Sequence, residues 1–255
     1  MPPHVNSAII NYMQHDDELE ILRHSASHIM AQAVQALFPG VKLGIGPAIE
    51  SGFYYDFDLP AGRHGMPEQL SPEDLPKIEA KMLEIVKQQH KFERQEMEKA
   101  AAIKLFTERG ETYKVDLLNG IEAETVTIYK NGDFVDLCRG PHIEHTGHLK
   151  AFKLLSIAGA YWHGIETNPM MQRIYATAFR SQNELDEYLK NLEEAKKRDH
   201  RKLGKELDLF SLHDEAGAGF VYYHPKGAII RNLIEDFLRQ ENIKRGYQQV
   251  FIPHL

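Results

Sequence analysis

The segment Asp136-Leu137-Cys138-Arg139-Gly140-Pro141-His142 sets a thiol and an imidazole four positions apart at the end of an expected strand, and Cys138 is the one cysteine of the chain. A second four-residue step, His24 to His28, lies more than a hundred residues upstream. Two histidines at i and i+4 share a helical face and can reach one point, a spacing that recurs in metal sites. One thiolate and three imidazoles make a sound tetrahedral zinc set. The residue types leave two other readings open. Cys138 with His142 or His24 as base would make a nucleophile, yet Asp136 projects from the same expected strand face, and a neighbouring negative charge raises a thiol pKa. That ranks the nucleophile below a water-activating hydrolase. Cys138 as a small buried residue at a strand end is the third reading.

These residues need elements to position them. From Asp17 to Phe38 the pattern is helical, with Leu22, Ala26, Ile29, Ala33 and Leu37 on one face and Pro39-Gly40 as the stop. At about 100° per residue, His24, His28, Ala31 and Gln35 fall on the opposite side. Thr125 to Cys138 reads as a hairpin about Asn131-Gly132, the preferred pair for a type I′ turn. That register sets Ile128 opposite Val135 and Val126 opposite Leu137, leaving Tyr129, Phe134, Asp136 and Cys138 together on the other face.

The remaining segments are read by the same signals. Ala8-Ile9-Ile10 is an expected strand, and Gly44 and Gly46 mark a tight turn, since their spacing fits no phosphate-binding loop. Gly52 to Asp58 alternates as a strand, Ser71-Pro72-Glu73-Asp74 starts a helix that runs to about His90, and Glu98 to Glu108 is another helix. Phe152 to Trp162 and Met171 to Phe179 are strands. The fold class is therefore α+β with a mostly antiparallel sheet and flanking helices. Ser181 to Lys205 reads as one long polar helix bridging two domains, its basic edge a second-choice contact for RNA phosphates. After His224-Pro225-Lys226-Gly227 an amphipathic helix runs to about Arg245, and Gln248 to Ile252 forms a strand stopped by Pro253.

At 255 residues and 42% hydrophobic content the chain can build a real core. No apolar run approaches the roughly 20 residues needed to span a bilayer, so no membrane partner is expected, and a lone cysteine fits a cytoplasmic protein. A formal charge of −7 argues against sequence-independent nucleic-acid binding and confines any such contact to a local patch.

The chain resembles the threonyl-tRNA synthetase family. The likeness runs through Arg23-His24-Ser25-Ala26-Ser27-His28, Gly52-Phe53-Tyr54-Tyr55-Asp56, Asp136 through His142, Lys150 to Leu154, Gly159 to Trp162, Asn168-Pro169, Gln172 to Tyr175, Asp199 to Phe210 and His224 through Gly227. The resemblance implies residues 1–16 as a remnant of a preceding small domain or a tail, 17–180 as an editing domain, 181–205 as a linker helix, and 206–255 as the opening of a class II catalytic domain. It implies hydrolysis of mischarged seryl-tRNA(Thr), because one methyl group discriminates serine from threonine by only about 1–3 kcal/mol. His24, His28, Cys138 and His142 would surround the ester. Asp136 would take the serine ammonium, Tyr55 would line the pocket, and Lys114 would position or deprotonate water, unless it is a surface lysine before a short helix.

For cofactors the resemblance implies none for editing, with the four ligand-type residues as the set if zinc is bound, as in the related alanine-type domains. ATP, Mg and a further zinc belong to the complete enzyme, which would be a homodimer using the tRNA(Thr) acceptor end, whereas this stretch alone would not aminoacylate. A tRNA-binding or dimerisation piece without chemistry is the alternative. His163 stands where many members carry arginine.

Overall fold

Helix α1 spans Ser7–Leu37 and is the post around which the first part of the chain is built. The computed structural model describes residues 7–60, 69–213, 215, 217 and 219–252. The expected strand at Ala8-Ile9-Ile10 is instead the first part of this helix, while residues 1–6 of the expected remnant lie outside the described residues. Leu22, Ala26, Ile29 and Ala33 are buried as anticipated, and Leu37 is exposed at the end. The opposite face is buried too, with Ser25, His28 and Ala31 at 3% exposure or less. Over residues 22–34 the helix is covered on nearly all sides and shows little amphipathic contrast, so periodicity marks one packing face and conceals the other.

The apolar face packs on a five-stranded antiparallel sheet of β1 (Lys42–Leu43), β2 (Ala48–Ile49), β3 (Gly52–Asp58), β7 (Ala151–Tyr161) and β8 (Met170–Phe179), in which β1 and β2 pair with opposite ends of one edge of β3 and the order continues from its other edge through β8 to β7. Phe53, Tyr55 and Phe57 alternate inward from β3 and join Ile29, Met30 and Ile174 in the main core. Helix α2 (Leu75–Gln88) adds Ile78, Met82 and Ile85, and its approach is capped by Ser71 and Asp74 as the sequence signalled. Gly44 and Gly46 do not form a tight turn. They lie in an extended run alongside β3, with Gly44 N donating to Asp56 O and Asp56 N donating to Ile45 O. A Cβ on Gly46 would enter the Tyr55 ring, which is why glycine stands there.

A second, three-stranded sheet contains β4 (Glu93–Glu98), β5 (Thr125–Asn131) and β6 (Phe134–Leu137). Helices α3 (Lys99–Glu108) and α4 (Thr112–Asn119) close a separate core of Phe106, Leu118, Val126 and Ile128 on one face of it. The hairpin register is shifted from the expected one. Asn131 pairs with Phe134 and Tyr129 with Asp136, so the turn is Gly132-Asp133. Gly132 alone of those two has positive φ, which a type I′ turn would require at both. Asn131 is held in the sheet because its Nδ2 donates to Gln32 of α1 at 2.7 Å. The slide moves the pairing by an even number of residues, so the division into two faces survives.

The chain forms two compact units that divide between Asp186 and Glu187. The expected single helix over 181–205 is bent into α5 (Gln182–Lys197) and α6 (His200–Glu206), because Asp199 accepts from the backbone N–H of Arg201 and starts a new helix. Strands β9 (Phe210–Leu212) and β10 (Val221–Tyr223) pair antiparallel, and α7 spans Pro225–Lys244. Helix α7 leaves Ile229, Leu233, Ile234 and Phe237 exposed. Gln248 to Ile252 is not a strand, and Pro253 lies outside the described residues. No described helix is long and apolar enough to cross a membrane.

Candidate metal centre and buried charge cluster

The two four-residue steps converge. Cys138 Sγ lies 3.2 Å from His24 Nε2 and 3.2 Å from His142 Nε2. The His28 and His142 rings are 4.4 Å apart, and one donor atom from each of the four residues falls within 4.8 Å of the others. After β6 the chain reverses through Gly140, at φ +70°, and a cis Gly140–Pro141 peptide. A Cβ at position 140 would collide with the Tyr129 phenol, so glycine is what lets His142 return beside Cys138. Phe92 stacks on the His142 ring at 4.7 Å, and Tyr129 meets it edge-on.

Ser25 decides how His142 points. Its hydroxyl has one proton, which it donates to Ile21 O at 2.8 Å, and it accepts from Ile143 N at 2.9 Å. The 3.0 Å contact between Ser25 Oγ and His142 Nδ1 therefore has Nδ1–H as donor. His142 Nε2 is left with its lone pair directed at Cys138. Fixing a ligand histidine through its other nitrogen is how outer partners orient metal sites.

A second layer adjoins the first. Lys114, 2% exposed, forms an ion pair with Asp136 Oδ1 at 2.5 Å and donates to Gly44 O at 2.7 Å and Tyr55 Oη at 3.0 Å. Tyr55 Oη in turn donates to Asp136 Oδ2 at 2.6 Å. His28 Nε2 stands 3.7 Å from that same oxygen and joins the two layers. The surface-lysine reading of Lys114 is thereby excluded, and it sits within α4 rather than before a helix. Glu111, three residues earlier, is buried as well, accepting from Gln35 Nε2 at 2.9 Å and Leu43 N at 3.0 Å.

Burial sets the protonation states. Desolvation holds His24, His28 and His142 below their ordinary range, with Asp136 opposing the shift at His24 and the neighbouring imidazoles reinforcing it at His28 and His142. All three are neutral at neutral pH. Burial pushes the Cys138 thiol up to about 12, partly offset by the Gly140 N–H that donates to Sγ and increased by Asp136. In this setting the thiol is protonated and a poor nucleophile. Burial also raises the Glu111 carboxyl, against the pull of Leu43 N–H and Lys114.

The set fits a metal. Neutral imidazoles have lone pairs to give, the 3.2 Å spacings lie near the roughly 3.5 Å between ligands around tetrahedral zinc, and His28 Nδ1 is buried with no hydrogen-bond partner. A bound cation would also deprotonate the thiol outright. The expectation that the editing region needs no cofactor is therefore corrected, because a metal-competent His24, His28, Cys138, His142 cluster lies within this stretch itself.

All seven candidate residues come together: His24, His28, Cys138 and His142 in the first group, Tyr55, Lys114 and Asp136 in the second. Ser25, Phe92 and Glu111 escaped notice. Ser25 lies inside the histidine segment and Glu111 one turn before Lys114, but a lone hydroxyl or carboxylate on a helix has no sequence signature of burial. His163, at φ +56°, is exposed and approaches Asp116 Oδ2 at 3.0 Å beside the Trp162 indole, which donates to the same oxygen.

Residues 126–175 match the family described as "Threonyl and Alanyl tRNA synthetase second additional domain". Over more than nine tenths of its length the chain is similar to threonine--tRNA ligases. It is 59% identical to that of Dehalococcoides mccartyi over 93% of this chain and 39% of the relative. It is 58% identical to that of Citrifermentans bemidjiense over 94% and 36%, and 55% identical to that of Oleidesulfovibrio alaskensis over 96% and 37%. The chain thus spans less than two fifths of the length of these relatives.

Proposed function

We propose that this chain is the editing part of a threonine--tRNA ligase, an ester hydrolase that frees serine from mischarged seryl-tRNA(Thr). The observation that carries the reading is the convergence of His24, His28, Cys138 and His142 beside a buried Tyr55–Asp136–Lys114 cluster, in a chain so similar to those ligases. Water adds to the acyl carbon, the bond from that carbon to the ribose oxygen breaks, and serine and a free terminal hydroxyl leave. His24 fronts an open cavity of about 290 Å³ that it lines with Asp17, Glu20, Ile21, Gly140 and Pro141, which puts the cluster within reach of the attacking water at this edge. Lys114, with three donors engaged, anchors Asp136 and the Tyr55 hydroxyl; Asp136 Oδ2 is the edge turned toward the histidines and the place for the substrate ammonium. Bound zinc, held by His24, His28, Cys138 and His142, would supply Lewis acidity and a water of lowered pKa.

The boundaries 17–180 for editing, 181–205 for the linker and 206–255 for the start of a catalytic domain belong to this proposal. So do the tRNA(Thr) acceptor end as partner, a homodimer, and ATP-dependent attachment of threonine by the complete protein. The test is release of amino acid from seryl-tRNA(Thr) and threonyl-tRNA(Thr), with His24→Ala alongside and with chelator followed by added zinc. Selective serine release, lost in the variant and on chelation and restored by zinc, supports the reading. Binding without release at saturating protein would make this a tRNA-binding piece instead.

A further inference from the structure

We infer that Glu111 is a positioning residue for Lys114: it fixes the start of α4 against both α1 and β1, so that the lysine ammonium reaches Asp136 and Tyr55. This inference rests on the editing reading for its kinetic test. Glu111 is 5% exposed, and neither carboxylate oxygen is bonded to a cation. One oxygen accepts from Gln35, which lies seven residues beyond His28 on the same face of α1. The other accepts from the buried N–H of Leu43 in β1. Its own backbone carbonyl accepts from Lys114 N at 3.1 Å and Val115 N at 3.2 Å, which opens the helix that carries Lys114.

Lys114 then makes its own bond to the next residue of the same strand run, Gly44 O. Helix α4 is therefore pinned to two neighbouring positions, Leu43 at the end of β1 by Glu111 and Gly44 just beyond it by the lysine. Without Glu111 the Lys114 ammonium would have to hold that alignment by itself while also serving Asp136 and Tyr55. A carboxylate buried among neutral amide donors costs desolvation. It yields a fixed distance between the histidine face of α1 and the lysine. Placement errors of about 1 Å in such supporting groups reduce rates markedly.

The experiment is a double-mutant cycle in the full 255-residue chain, using Glu111→Ala, Glu111→Gln, Lys114→Ala and Glu111→Ala with Lys114→Ala. Glu111→Ala should lower kcat for serine release by on the order of 10-fold or more, with KM little moved. Glu111→Gln should recover most of this, because a carboxamide can accept from Leu43 N–H and donate to a flipped Gln35. In the Lys114→Ala background, Glu111→Ala should add nothing further. Independently of catalysis, labelling of the Lys114 amine by a water-soluble acylating reagent, read by mass spectrometry, should be slow in the parent and several-fold faster in Glu111→Ala. Additive losses in the cycle, unchanged kcat in a folded Glu111→Ala, or unchanged labelling would overturn the inference. If Glu111→Ala does not fold, Gln35→Ala takes its place in the cycle with the same expectations. If the parent chain releases no serine, the editing reading fails, and the labelling comparison alone decides the role of Glu111.

Discussion

At Ser25 one hydroxyl accepts from His142 Nδ1 and Ile143 N while donating to Ile21 O. Ser25→Ala removes the acceptor for two donors in a part-buried setting, which costs about 1–3 kcal/mol for an unsatisfied group. It also frees the His142 ring to rotate, so zinc affinity should fall by about 10–100-fold. Competition against a chromophoric chelator measures this, and an unchanged affinity would show that the ring is held by Phe92 and Tyr129 instead. The three imidazoles predict a pH dependence. Their folded pKa values lie below the ordinary 6.5, so the unfolded chain binds more protons. The stability they contribute is present above 6.5 and is lost as pH falls toward the folded values. Urea melts should show a falling midpoint between about pH 7 and 5, with a flatter profile in His142→Ala; an equally steep profile in that variant would place the acid sensitivity elsewhere. The four ligand-type residues were legible from type and spacing. Ser25 was not, because nothing in a serine's neighbours tells a buried hydroxyl from a wet one.

The extended run through Gly44 and Gly46 holds the floor of the cluster at the scale of an element. A side chain at 46 would push into Tyr55, whose hydroxyl links Lys114 to Asp136. Gly46→Ala should therefore destabilise by about 1–3 kcal/mol through overpacking and slow serine release together with it. Thermal melts and kinetics check the pair; a loss of stability with full activity would separate Tyr55 from the chemistry. Elements with strong local signals were legible, such as the capped start of α2 and the alternation of β3, β7 and β8. Strand β4 was hidden because its Glu93-Arg94-Gln95-Glu96 is exposed throughout and owes its conformation to pairing with β5. The hairpin turn was misplaced by one residue because Gln32, distant in sequence, claims Asn131. The break before α6 was written in Asp199, but a run of alternating charges on both sides obscured it.

For the whole molecule, the α+β class and the antiparallel sheets followed from the order of elements, while the burial of both faces of α1 over residues 22–34 required knowing that a second sheet meets its histidine face. The donor set bridges that arrangement, since His24 and Cys138 are 114 positions apart in sequence. An isolated α1 offers two imidazoles and an isolated hairpin a thiol and one more, so neither segment can close the set. The cluster is consequently a gauge of tertiary assembly. With cobalt in place of zinc, the thiolate charge-transfer absorbance should grow with the late closing of this long loop rather than with early helix formation. Stopped-flow refolding that shows the absorbance rising together with the helical signal would mean the two halves meet before the sheets are complete. Because the Cys138 thiolate comes from the hairpin and two of its companion ligands from α1, any substitution that slows the docking of the hairpin onto α1 would be visible as a delay in colour, even where the finished protein is unchanged.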